Sequence, residues 1–409
     1  MKKKFVLALI PAIFYGEDLR SLLEFATLNN KTAQSKSLTK EAKLKEVESS
    51  KSAYFPTLDA GGYYQNQNQR TPQQPGDTYN GYAKIGVDIY DGGKKWSLVK
   101  QNEALLEAAM YDAQYYKKSL QLDIAQDFYN IKSLKASLTA LEDKRVQLEA
   151  DLDRIKKFFD VGSATIDDVD KLQAAYSSNL YIIEESRYQL LSLIKLLGVK
   201  IGKEAGEPDS STIEPPQNIQ NETGDDVKSL RANSFSLARA AEGITSVYYP
   251  QLRLEDNYSV YNYGRSDFEH PKGVYNQNTL ALSLNIRLFD NGVVTKQKES
   301  LQLQKMALDK RIKELEETRD INAELSLSKI NTTKAQIQSA KQGLEAANSA
   351  YKIAAKKFEA GVVDNVAYLD ALSVKTNAKA QYETALNNLQ IAYASYYFNT
   401  NKNIKEYVK

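Results

Sequence analysis

Two short windows concentrate carboxylates at matching places in the chain. From 160 to 170 the charged residues are Asp160, Asp167, Asp168 and Asp170; from 359 to 370 they are Glu359, Asp364 and Asp370. Neither window holds a lysine or an arginine, and each contains a glycine, Gly162 or Gly361. Carboxylates so placed can do two kinds of work. Locally, an aspartate at the start of a helix accepts backbone N–H groups and complements the helix dipole. Collectively, if several copies converge on an axis, rings of carboxylates favour cations and raise the barrier for anions. Their mutual repulsion would then raise some of the carboxyl pKa values and bias an aperture towards opening. Catalysis finds no comparable constellation. The chain has no cysteine and one histidine, His270, in an expected loop. Disulfides, thiolate sites, His-based zinc and Ser-His-Asp chemistry therefore lack their residues. No enzymatic activity, cofactor or metal site is expected.

The elements that position these acids occur twice. Phe159-Asp160-Val161-Gly162 matches Phe358-Glu359-Ala360-Gly361 at a spacing of 199 residues, and Asp91 and Gly93 match Asp290 and Gly292 at the same spacing. Ala53 to Leu58 (AYFPTL) matches Val247 to Leu252 (VYYPQL) at 194. The five-residue difference falls within the hairpins, where loop length costs little. Ile337, Ala340, Leu344, Ala347, Tyr351, Ala354 and Phe358 step by three and four, the seam of a coiled coil. Shifted back by 199, the seam reads Leu138, Leu141, Arg145, Leu148, Leu152, Ile155 and Phe159, and only Arg145 interrupts it. The chain is an internal duplication.

Each half begins with a helix (about 18–52 and 225–247) that ends at proline, which cannot donate the helical hydrogen bond. A hairpin follows, about 57–90 and 251–289. Leu280, Leu282, Leu284, Ile286 and Leu288 alternate with polar or small residues, a period of two with one apolar face; Ile85, Val87 and Ile89 do the same. Tyrosines on the incoming strands fit either an interfacial girdle or ordinary exposed strands. Long helices then run from about 94 to 158 and 293 to 357. At 1.5 Å per residue such a helix extends roughly 100 Å, too long to wrap a globular core, so it must lie along others like it. After Gly162 and Gly361 the pattern returns to about 198 and 398. The fold class is mainly α with β. The divisions are a signal peptide at 1–16, a first repeat at 17–200, a connector at 201–223, a second repeat at 224–398 and a C-terminal tail at 399–409.

Composition narrows the setting. The mean hydropathy of −0.52 and 26% charged residues exclude a helical membrane bundle. No apolar run reaches the roughly 20 residues a spanning helix needs, a test that β-strands escape. Lys2, Lys3 and Lys4 precede an apolar stretch from Phe5 to Tyr15, the outline of a secretory signal in which Gly16 stands at −1. Removing residues 1–16 takes the net charge from +2 to −1, which gives no support for nucleic-acid binding. Four strands cannot close a membrane barrel, which needs at least about eight, and open edges in lipid leave backbone groups unsatisfied. If the hairpins enter a membrane, strands from several chains must share one barrel. Three copies of a duplicated chain would give approximate sixfold symmetry. The competing reading is a soluble periplasmic coiled-coil scaffold or adaptor; it leaves two apolar hairpin faces uncovered.

Five stretches, in order, resemble the TolC-like outer-membrane efflux family: Leu23–Asn30 (LEFATLNN), Ala53–Leu58, Ile89–Gly93 (IYDGG), Phe159–Tyr176 (FDVGSATIDDVDKLQAAY) and Phe358–Ala371 (FEAGVVDNVAYLDA). The resemblance implies a homotrimer with a 12-stranded barrel in the outer membrane and a periplasmic α-barrel. It also implies docking to a periplasmic adaptor and an inner-membrane transporter in efflux or type I secretion. By position, the family's aperture acids fall on Asp168, Ala367 and Asp370; Ala367 departs from the acidic pattern, and Asp167, Asp170 and Asp364 would supply replacement charge. Val363 stands where the family's archetype has a latching arginine. Gly162 and Gly361 correspond to the turns where adaptor tips seat. The lack of an N-terminal cysteine separates the chain from lipid-anchored relatives.

Overall fold

A computed structural model describes residues 18–69, 76–217, 221–264 and 274–409. The expected signal segment and His270 lie outside these. Among the described residues, seven α-helices and four strands form two compact units, each drawing on both sequence repeats.

One unit comprises residues 37–112 and 226–315. Its sheet is antiparallel throughout, in the order β1 (Thr57–Asn66), β2 (Asp77–Asp91), β3 (Gln251–Gly264), β4 (Asn276–Asn285). The two hairpins are thus joined edge to edge by β2 and β3, with a bulge between Asp88 and Tyr90. Leu284, Leu282 and Leu280 pair with Leu252, Leu254 and Asp256, which puts them on one face. That face is bare: the three leucines are 62%, 64% and 71% exposed. The opposite face carries an ionic chain in which Arg253 meets Asp88 at 2.8 Å and Lys95 meets Asp88 at 3.0 Å. The second hairpin is shorter than the alternation predicts. Asn285 pairs with Gln251, and the next residue on that side is Pro250, which has no N–H to offer; Ile286 to Phe289 therefore leave the sheet.

The first helix is also corrected. The pattern at 18–52 predicts one helix, but α1 (Leu19–Asn29) and α2 (Lys31–Ser52) are separated by Asn30, whose ψ of 127° is extended. The Asn30 Oδ1 accepts the Ala33 N–H at 2.9 Å and its Nδ2 donates to the Lys200 carbonyl at 2.8 Å. Asn30 is thus the N-cap of α2, a role its side chain favours over a helix interior. In the second repeat, α5 (Asp225–Ile244) tightens into a 3₁₀ turn, Thr245–Tyr248, before Pro250.

The other unit comprises residues up to 36, 113–225 and 316–409. Its main core gathers Leu19, Leu22 and Leu23 around Ile124, Phe128, Tyr129, Leu197 and Tyr397. The connector closes against the C-terminus: Thr212 exchanges two backbone hydrogen bonds with Lys409, and Tyr397 stacks on Tyr407 at 3.8 Å. Helices α3 (Lys94–Asp160) and α6 (Val293–Glu359) are each 67 residues long, and α4 (Ile166–Ile201) and α7 (Asn365–Asn399) return from them. The expected seams are buried or half-buried almost throughout, because a stripe repeating every three and four residues has one side to hide. Phe159, 42% exposed at the tip, is the exception. No helix among the described residues is long and apolar enough to cross a membrane.

Candidate functional site

The acidic windows fold into two helix-to-helix turns built alike. Gly162 N–H bonds the Phe159 carbonyl at 2.9 Å and Ser163 N–H the Phe158 carbonyl at 2.7 Å; Gly361 and Val362 bond Phe358 and Lys357 at 3.1 and 2.8 Å. This crossed pair of bonds closes a helix C-terminus with a left-handed residue, here at φ of 74° and 71°. A Cβ at either glycine would meet nothing within 4 Å, so glycine is required by the backbone angle rather than by space.

The returning helices start differently. Thr165 caps α4 in a reciprocal box: its hydroxyl accepts the Asp168 N–H at 3.2 Å, while Asp168 Oδ2 accepts the Thr165 N–H at 3.1 Å and hydroxyl at 2.7 Å. Asp364 caps α7 alone, accepting the Ala367 N–H at 3.0 Å, because Ala367 has no carboxylate to complete the box. Asp168 also ties the two turns. Its carbonyl and its Oδ1 each accept the Asn365 side-chain amide at 3.2 Å, and Asn365 is 2% exposed.

The five candidate acids are therefore unlike one another. Asp167 pairs with Lys171 at 2.6 Å, one residue beyond the window that lacks cations. Lys171 is held above its ordinary pKa by Asp167 first, then by Asp168 and Asp364, so these three share one field. Asp170 and Asp370 stand exposed. The hydrogen bonds from Thr165 hold the Asp168 carboxyl below the usual carboxylate range. That is opposite to the rise expected from repulsion, because within one chain Asp168 meets donors rather than other acids.

A network between the turns was not read from the sequence. Tyr368 donates to Asp151 Oδ2 at 2.5 Å, Arg154 meets Asp151 at 3.0 Å and Glu359 at 3.8 Å, and the Arg154 guanidinium lies over the Phe358 ring. Tyr368 stacks on Phe358 with centroids 4.7 Å apart. Burial, then the hydrogen bond to Asp151 and its charge, push the Tyr368 phenol well above its ordinary range. The available signal was Asp151 itself, an acid flanked by seam residues Leu148, Leu152 and Ile155. A cavity of about 480 Å³ lies between the turns, lined by Arg154, Phe158, Asp168, Phe358, Asp364 and Asn365 among others. Val363 also lines it, with no cation at that position. Among the described residues no group of three or more metal-type ligands converges. The arrangement offers carboxylates, caps and a buried hydrogen-bond network, which suits a mechanical or selective role.

The model of a family described as "Outer membrane efflux protein" matches residues 22–198 and 227–400. Outer membrane protein TolC of Escherichia coli is 22% identical over 413 residues, covering 92% of this chain and 81% of that protein. Outer membrane protein TolC of Vibrio cholerae is 29% identical over 188 residues, which span 44% of this chain and less than half, 43%, of that protein. The Campylobacter jejuni CmeC outer membrane channel has the same fold, with a TM-score of 0.83 at 14% identity, covering 94% of this chain and 86% of that one.

Proposed function

Because the chain belongs to the outer membrane efflux protein family, we propose that three copies form one duct, gated at the Gly162 and Gly361 turns and docked there to a periplasmic adaptor. The protein is an outer-membrane exit duct of an efflux system, with a helical extension in the periplasm. The family is one of transport channels rather than enzymes. An adaptor and an inner-membrane transporter complete the pathway in this reading. Conduction is passive, and no catalytic step is assigned to the chain.

The observation that carries the reading is the sheet. Four strands end in two open edges, β1 and β4, and the leucine row on β4 is uncovered. Strands from other copies would satisfy the edges, and lipid would cover the leucines. A soluble scaffold leaves both exposed and is not favoured. Under the trimeric reading Asp168 and Asp370, with Asp167, Asp170 and Asp364 nearby, ring the aperture.

Membrane fractionation and mass determination in detergent test the assembly: the protein should partition with outer membranes as a trimer. Recovery as a soluble monomer would remove the duct. Planar-bilayer recordings test the aperture. Asp168→Ala with Asp370→Ala should lower cation selectivity and block by divalent cations; unchanged selectivity excludes those carboxylates.

A further inference from the structure

A second cavity, of about 500 Å³, lies in the sheet-bearing unit where α3, α5 and α6 begin or end, within the size range of small-molecule sites. Leu98, Val247 and Leu301 give it apolar walls, and Lys94 and Arg287 stand on its lining. Neither cation forms a salt bridge among the described residues, and Arg287 lies in the field of Asp290, whose carboxyl it helps to hold low. The nearby acids are committed elsewhere. Asp91 accepts the N–H groups of Gly93 and Lys95 at 3.0 and 2.8 Å. Asp290 accepts the Tyr248 hydroxyl at 2.7 Å and the N–H groups of Gly292 and Val294 at 3.0 and 3.1 Å. Ser246, also on the lining, is 2% exposed, and its hydroxyl has no hydrogen-bond partner among the described residues. A buried hydroxyl left unmatched is costly.

We propose that this cavity binds a single-chain amphiphilic anion, its apolar tail against Leu98, Val247 and Leu301 and its head between Lys94 and Arg287. Two cations free of salt bridges select a negative head, and apolar walls select a tail; neither feature alone asks for both. The volume suits one alkyl chain with its head rather than a two-chain lipid. The site is separate from the helix tips and does not depend on how they gate.

The test uses the purified full chain in nanodiscs of zwitterionic lipid, with cis-parinarate as a fluorescent fatty-acid probe. Trp96, the single tryptophan, sits on α3 two residues from Lys94 and serves as energy donor. Saturable quenching of Trp96 is expected, and dodecanoate should displace the probe, whereas dodecyltrimethylammonium and dodecanol should not. Arg287→Gln should weaken binding about tenfold, as expected for loss of a charge-assisted contact. Lys94→Gln with Arg287→Gln should abolish it, and Val247→Phe should fill the cavity. Lys296→Gln, at a lysine already paired with Glu299 outside the cavity, should change nothing. Quenching that is unaltered in the double charge variant places the probe in the bilayer and overturns the proposal. Displacement by phosphatidylglycerol but not by dodecanoate also overturns it, in favour of a two-chain lipid.

Discussion

Near the turns all four helices share one apolar cluster, with Leu148, Leu152 and Leu172 from α3 and α4 beside Tyr368 and Leu372 from α7. To it α3 and α4 add ion pairs farther along, and α6 and α7 add packed rings. In the first pair, Arg145 interrupts the apolar seam and is held by Glu142 and Glu149, each at 2.9 Å, while Arg187 crosses from α4 to Glu142 at 2.5 Å. In the second pair, Tyr351, Phe358 and Tyr368 lie within 6.1 Å of one another by ring centroid along the chain of contacts. The turns and backbone angles are the same in both. The difference teaches that the repeat keeps the geometry and the buried core while each copy adds its own contacts: surface ion pairs, which salt screens, in one pair and buried rings in the other. The second pair is also tied to the first by Tyr368 on Asp151 and Asn365 on Asp168.

The largest break in that comparison should come from Tyr368→Ala, which empties a buried aromatic site and strands Asp151. A loss of about 3–5 kcal/mol is expected, read as a lowered unfolding midpoint in detergent. Val169→Ala, its half-buried counterpart in the first pair, should cost about 1 kcal/mol. Equal losses would show that the pairs do not differ in cohesion. Next, Asp168→Ala should cost about 1–2 kcal/mol because it removes both a cap and the tie to Asn365, against about 1 kcal/mol for Asp364→Ala. Amide exchange at the two turns measures this; only Asp168→Ala should speed exchange in both.

Titration separates the pairs without a substitution. Asp168 has a depressed pKa, so its contribution is present above the ordinary aspartate value near 3.9 and is lost as pH falls through the folded value. Tyr368 has a raised pKa, so its contribution is present below the ordinary tyrosine value near 10 and is lost as pH rises towards the folded one. Acid should therefore loosen the first turn and alkali the second, as seen by limited proteolysis across a pH series. The smallest effect belongs to Arg145→Leu, which restores the apolar seam. A change within about 1 kcal/mol is expected, together with weaker dependence of the midpoint on salt.

The duplication, the hairpins and the long helices were legible because periodicity reports which side of an element is hidden, and period does not depend on partners. Phe159 and Phe358, with the glycines three residues on, placed both turns. Boundaries that depend on one residue's chemistry were not legible from period: Asn30 splits a helix whose pattern runs through it, and Pro250 shortens the strand opposite. At the tips the sequence offered Asp167, Asp168, Asp170, Asp364 and Asp370 as one set. Which of them caps, pairs or stands free depends on Thr165, Lys171 and Asn365, whose side chains meet the acids only after folding. The Asp151–Tyr368 contact joins residues 217 apart, beyond the reach of any local pattern.

Helices α3 and α6 have the same number of residues, whereas the hairpins before them differ by five. In a helix, one inserted residue turns everything beyond it by about 100° and advances it by about 1.5 Å. A single insertion in α6 would swing Asn365 away from Asp168 and Tyr368 away from Asp151, although no side chain had changed. The two helices therefore act as matched rulers. Substitutions along them can be absorbed one at a time, but a change of length in one is tolerable only if the other changes with it.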